Sequence, residues 1–332
     1  MEQAQQHPLT VKVDSSRIAA KLSRVPTPLG GLALSIASLG GAWALASPDA
    51  ATELKLVTAI IAAVLIIKVM LKFLLHPHLI KEELAHPVLA SIIPTCAMGT
   101  MVIAQSLLPY APAFAQALWL VAVGCHLLLL GSFVFHRSLQ FKMEDMVPSW
   151  FVPPVGIIVA AVTSTGMGHE SLVVGLFIFG LGSYFIKLPF MLYRLIFRDA
   201  IPNAALPTFA IMAAPASLSL AGYLTITDDP NPLLLLILVP LAISMTFLVY
   251  IAFTRLLRLP FSPGYAAFTF PMVIGATALL KLDIWLSSHD LVWLAENIRH
   301  LAQVEIIIAT AIVVYVSVRY LHHYLAKPFL KK

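Results

Sequence analysis

The chain has 332 residues, 60% of them hydrophobic and 11% charged, with a mean hydropathy of +0.91. A water-soluble domain carries about 25% charged residues, so this chain has too few to cover a surface that faces water. Its formal net charge of +5 sits in short clusters at the ends of apolar runs, which makes the basic balance a topology signal and not a nucleic-acid surface.

Residues 1–25 are polar and mixed in charge and show no apolar leader, so they read as an N-terminal tail. Within it, 14–25 fits two descriptions equally: a helix capped by Asp14 and lying on the membrane with Ile18, Leu22 and Val25 on one side, or a solvated tail. Residues 26–323 form a membrane domain with ten apolar runs of the ~20 residues that cross a ~30 Å hydrocarbon core. The predicted spans are 28–46, 54–75, 87–108, 111–135, 148–167, 171–196, 206–225, 232–254, 263–281 and 297–321, and 324–332 is a C-terminal tail. Cys96 and Cys125 lie inside apolar runs and read as small buried hydrophobes.

Lys and Arg set the orientation. With the N-terminus in the cytoplasm, 15 of the 21 fall on the inner side and three, Lys55, Lys281 and Arg299, on the outer side. Lys68, Lys72 and Lys187 lie within spans, near enough to their ends to snorkel. This asymmetry predicts cytoplasmic termini and an even number of spans.

The spans repeat. VPTPLGGLAL from Val25, HPVLASIIPT from His86, VPSWFVPPVG from Val147, LPTFAIMAAP from Leu206 and SPGYAAFTFP from Ser262 begin alike. Their aligned prolines Pro28, Pro87, Pro148, Pro207 and Pro263 are 59, 61, 59 and 56 residues apart. The fold expected is all-α integral membrane, ten transmembrane helices arranged as five pseudo-symmetric helical hairpins. Spans three, five, seven and nine carry internal prolines, Pro94, Pro153 with Pro154, Pro215 and Pro271, each of which removes a helical hydrogen bond and kinks the helix. Kinks at one place in successive repeats predict that the odd-numbered helices ring a central pore and that the even helices form the lipid-facing wall.

The odd spans carry hydroxyls and no charge within their apolar stretches. Ser35, Ser91, Thr95, Thr163, Thr208 and Thr269 are pore-lining candidates, and each can equally be a helix-packing residue. Glu305 and His126 are the deep ionisable groups. Both lie on even helices, so proton coupling competes with a structural role. The pairs His76/His78 and His322/His323 lack Cys or carboxylate partners at ligand spacing, so neither a metal nor a cofactor is expected. No Walker loop or nucleophile motif is present, and no enzyme activity is expected.

VPTPLGGLALSIASLGGAW in span one and AAFTFPM in span nine, on a plan of five hairpins, resemble the tellurite-resistance/dicarboxylate transporter (TDT) family. That family includes TehA-type channels, malate carriers and the slow-type anion channels of plant guard cells. The resemblance covers about 25–325, and PSWFVPPVG and LPTFAIMAAPASLSLAGYL are similar to its bacterial branch. It implies a multi-pass protein of the plasma membrane, here a bacterial inner membrane, and a homotrimer in lipid with one pore per subunit. It also implies a phenylalanine gate in the span-nine motif: Phe270 by position, with Phe268 second. Leu32 and Leu34 stand where TehA-type sequences carry an aromatic, so tellurite resistance does not follow. Long phosphorylatable tails like those of the plant channels are also missing.

The function expected is a gated anion channel or uniporter passing small inorganic or organic anions. The alternative is a proton-coupled carrier for malate-like C4-dicarboxylates or tellurite-type oxyanions.

Overall fold

The computed structural model describes residues 15–326; Asp14 and the last residues of the C-terminal tail lie outside this range. Among the described residues the chain is helical, without strands. Among these residues nine helices are long and apolar enough to cross a membrane: Leu29–Ala46, Thr52–Leu75, Leu89–Leu107, Pro112–Leu139, Glu170–Phe197, Leu206–Ile226, Pro232–Leu256, Pro263–Ser288 and Val292–Tyr324. They are spans one to four and six to ten. Span five is the shorter apolar segment Pro148–Val162.

Three boundaries differ from the sequence reading. Span five stops at Val162 because it alternates 3-10 and α turns. A 3-10 turn rises faster per residue than an α turn, so these few residues still extend about 26 Å. Span nine continues to Ser288 and span ten begins at Val292, which moves Lys281 and Arg299 from the outer ends of their spans to several residues inside their helices. Arg299 is paired with Asp283 of span nine, with N···O distances of 3.0 and 3.1 Å. Two short helices, Ser15–Leu22 before span one and Pro77–Ala85 between spans two and three, complete the inventory used below.

The two classes of span separate by burial. Odd spans one, three, seven and nine are 67%, 83%, 72% and 78% buried over their apolar windows, whereas the even spans are 22–33% buried. Span one packs on spans three and nine, span five on three and seven, and span seven on nine, which closes a ring of five. Each even span packs outside its own hairpin partner and exposes a row of large apolar side chains, such as Ile60, Leu128, Ile186, Leu236 and Val304.

The prolines act differently from simple kinks. Span one, without an internal proline, is one continuous helix. Pro94 opens the second of two α segments, Leu89–Ile92 and Pro94–Leu107. Pro153 and Pro154 begin a short α turn after a 3-10 turn. Pro215 and Pro271 fall in the first turn of α segments that follow the 3-10 stretches Leu206–Ala213 and Pro263–Phe268. A proline in the first turn forfeits no needed N–H, so each odd span after the first starts as a distorted helix and restarts as a regular one.

The distorted starts leave carbonyls that need donors. Much of the supply comes from the even span of the same hairpin. Lys187 Nζ donates to the Trp150 carbonyl at 3.0 Å, the acceptor that Pro154 strands four residues on. Arg137 donates to Ala85 O at 2.5 Å and Tyr320 Oη to Pro263 O at 2.5 Å. In the first hairpin Lys72, buried and not snorkelling, donates to Thr27 Oγ1 at 3.0 Å and to Glu83 Oε1 at 2.5 Å, and Thr27 donates to Glu83 Oε2. Lys68 remains exposed on the outer wall.

Lys187→Met therefore leaves the Trp150 carbonyl without its side-chain donor and is expected to cost about 1–3 kcal/mol. Thermal unfolding in detergent, followed by intrinsic tryptophan fluorescence, should show a lower midpoint for this variant and an unchanged midpoint for Lys68→Met.

Candidate pore

Two cavities lie in succession along the axis of the ring. The first has an empty volume of about 640 Å³ and is lined entirely by odd spans. Gly31 and Leu34 come from span one, Thr95 and Met98 from span three, Phe151 and Val155 from span five, Ile211 and Leu218 from span seven, and Ala267 and Phe270 from span nine. The second, about 570 Å³, is lined by Ser38 and Ala42, Val102 and Gln105, Val159 and Thr163, and Phe270 to Lys281 of spans one, three, five and nine, with Lys55 from span two. Among the described residues Phe270 alone lines both.

The cavity walls follow helical geometry. Phe270, Ile274, Thr277 and Lys281 are spaced i, i+4, i+7 and i+11, which puts them on one face of span nine. The helix advances 1.5 Å per residue, so this stripe is about 16 Å long from Phe270 to Lys281. Gly31, Leu34, Ser38, Ala42 and Leu45 form the matching stripe of span one.

Phe268 occupies a different face. It is fully buried and packs edge-on against Phe253 of span eight, 5.4 Å between centroids, and against Tyr265 at 4.7 Å. It lines neither cavity.

Of the six hydroxyl candidates, Thr95 lines the first cavity and Thr163 the second. The other four line neither. Ser35 and Thr269 are 2.5 Å apart and tie span one to span nine. Ser91 donates to Ser149 at 2.7 Å and ties span three to span five. Thr208 returns its proton to Ala205 O. Ser35, Thr269 and Ser91 thus join helices where hydrocarbon supplies no alternative partner, and Thr208 is satisfied within its own segment.

The deep ionisable groups also sit off both cavities. His126 Nε2 donates to the Pro153 carbonyl at 2.8 Å, so this histidine serves the broken backbone of span five from span four. Glu305 reaches from span ten to the back of span nine, where Gly275 leaves it room: a Cβ there would overlap Oε1. Its Oε1 is buried without a hydrogen-bond partner. No group of three His, Cys, Asp or Glu among the described residues could hold a metal ion.

Spacing reasoning passed over Lys55, Gln105 and Lys281. Lys281 was legible as the continuation of the Phe270 stripe, but a span ended at 281 hides it as a loop charge.

A ring of five inner helices inside five outer ones, with cavities along its axis, defines a multi-pass membrane protein built around a path. A family profile described as voltage-dependent anion channel matches residues 25–321, and the chain belongs to that family, the TDT group of channels and transporters. It is 26% identical over 229 residues to Uncharacterized transporter MJ0762 of Methanocaldococcus jannaschii, covering 61% of this chain and 66% of the relative. It is 26% identical over 217 residues to Uncharacterized transporter MJ0576 of the same organism, covering 57% and 62%. The matched stretch thus spans less than two thirds of either relative.

The stripe on span nine can be checked by labelling. In a Cys96→Ala/Cys125→Ala background, Ile274→Cys and Thr277→Cys should react with a small water-soluble thiol reagent. Ala276→Cys, which is buried off the stripe, should stay protected; equal protection of all three would remove span nine from the path.

Proposed function

We propose that the membrane domain, residues 26–323, passes small anions along the axis of its odd spans, and that the ring of Phe270 closes the path. The observation that carries this reading is that Phe270 is the residue shared by the two cavity walls. Membership in an anion channel family supplies the sign of the permeant charge. The first cavity is walled by carbon with Thr95 as its hydroxyl, and an apolar constriction of this kind blocks ions by excluding water. An aromatic ring also presents a positive edge, which suits an anion sliding past a rotated side chain.

The same reading places the protein in a bacterial inner membrane with its termini in the cytoplasm, by the Lys and Arg asymmetry. It also assembles three copies through the apolar outer faces of the even spans, each copy keeping its own path, as in the family it resembles. Tellurite-type oxyanions and C4-dicarboxylates are the substrates of the alternative, a proton-coupled carrier. One observation favours that alternative: the buried, unpartnered Glu305 oxygen lies against the helix that carries Phe270.

Phe270→Ala is expected to raise chloride or nitrate flux in proteoliposomes by at least about tenfold, equivalent to removing about 1.4 kcal/mol of barrier. Unchanged flux from a folded variant would reject Phe270 as the gate. Flux in the parent protein that accelerates with an imposed proton gradient, and loses that response in Glu305→Gln, would select the coupled carrier; a channel shows no such response.

A further inference from the structure

The cavity where span nine ends is chemically unlike its neighbour. Lys55 and Lys281, at the outer ends of the predicted spans two and nine, both line it. Neither ammonium group has a carboxylate within 4.0 Å or a hydrogen bond among the described residues. The Ser38 hydroxyl and the Gln105 amide, also in this wall, are likewise without hydrogen-bond partners among the described residues.

Thr163 and Thr277 differ from these. Their hydroxyl protons go to Val159 O and Val273 O at 2.8 Å each, so they present only lone pairs. Thr95, the hydroxyl of the first cavity, donates to Ile92 O in the same way. Free donors are therefore concentrated on one side of Phe270. Four of them, two cationic, come from spans one, two, three and nine.

Two ammonium groups sharing a partly enclosed cavity without a counter-charge are unfavourable until an anion joins them. A halide is one small sphere and accepts several hydrogen bonds only where the donors converge on a single point. A group whose charge is spread over several oxygens can accept from each. We propose that Ser38, Lys55, Gln105 and Lys281 form a binding site for an oxygen-bearing anion, a carboxylate or an inorganic oxyanion, at the span-nine end of the path. The site deepens the anion-pathway reading and rests on it only for the direction in which the bound anion then moves.

Binding is tested apart from transport. Thermal unfolding of the purified full chain is followed in sodium sulfate, sodium succinate and sodium chloride at equal ionic strength. Sulfate or succinate should raise the midpoint in a saturable way and chloride should not. Stabilisation by sulfate alone identifies an inorganic oxyanion site, and by succinate alone a carboxylate site. Lys55→Gln/Lys281→Gln should lose the shift, while Lys281→Arg and the outer-wall variant Lys68→Gln keep it. Gln105→Leu, a milder change that preserves both charges, should raise the half-saturating concentration about tenfold, the equivalent of 1.4 kcal/mol. The site is overturned if neither oxyanion stabilises the parent, or if Lys55→Gln/Lys281→Gln responds like the parent. In proteoliposomes, Phe270→Ala that passes no anion while the stabilisation persists would reject the pathway and leave the site standing.

Discussion

In hydrocarbon a backbone carbonyl without a donor costs several kcal/mol, and most odd spans of this chain begin with a proline-rich segment that strands such carbonyls. The molecule is organised around meeting that demand. Lys187 covers Trp150, Arg137 covers Ala85, Tyr320 covers Pro263 and His126 covers Pro153. These donors come from even spans, which fixes each outer helix against an inner one. In the third and fifth hairpins the outer helix supplies a donor to the distorted start of its own inner helix, and span four supplies one across hairpins to span five.

The same constraint explains where the path lies. A regular helix covers its backbone with side chains, whereas a 3-10 start followed by a restarted α segment changes direction and opens space beside it. Three such starts, the interrupted α start of span three and the glycine-rich start of span one, arranged as a ring, leave volume on the axis. Small residues such as Gly31, Ala214 and Ala267 line the first cavity and keep it open. Phe270, one residue before Pro271, is the large side chain placed where the distorted and regular parts of span nine meet. Beyond it the walls turn from carbon to donors, so the axis is chemically asymmetric.

Hydroxyls show how one residue type divides between two roles. Ser35 with Thr269 and Ser91 with Ser149 lie between helices and satisfy each other, while Ser38, one turn beyond Ser35, faces the second cavity unengaged. Three residues of helix, under one turn, are enough to move a side chain from packing to path. Ionisable groups divide likewise. Lys72 is locked to Glu83, Arg299 to Asp283, and Lys55 and Lys281 line the second cavity without an ion-pair partner among the described residues.

The sequence by itself determined the all-helical membrane fold, the five hairpins and the split between inner and outer helices. Those features follow from apolar length, charge asymmetry and proline period, which are local or strictly periodic signals. It also ranked Phe270 above Phe268, by resemblance to a family, and nominated Thr95 and Thr163 among six hydroxyls without distinguishing them from the four that pack. Only the tertiary structure decided the rest. Which face of each odd helix meets the axis depends on its rotation against two neighbours, and broken helices such as span five lose the regular period that would reveal it. The ends of spans nine and ten were misplaced for a related reason: Lys281 and Arg299 look like loop charges in one dimension. In three dimensions one is sheltered beside a cavity and the other is paired with Asp283, so neither ends its helix.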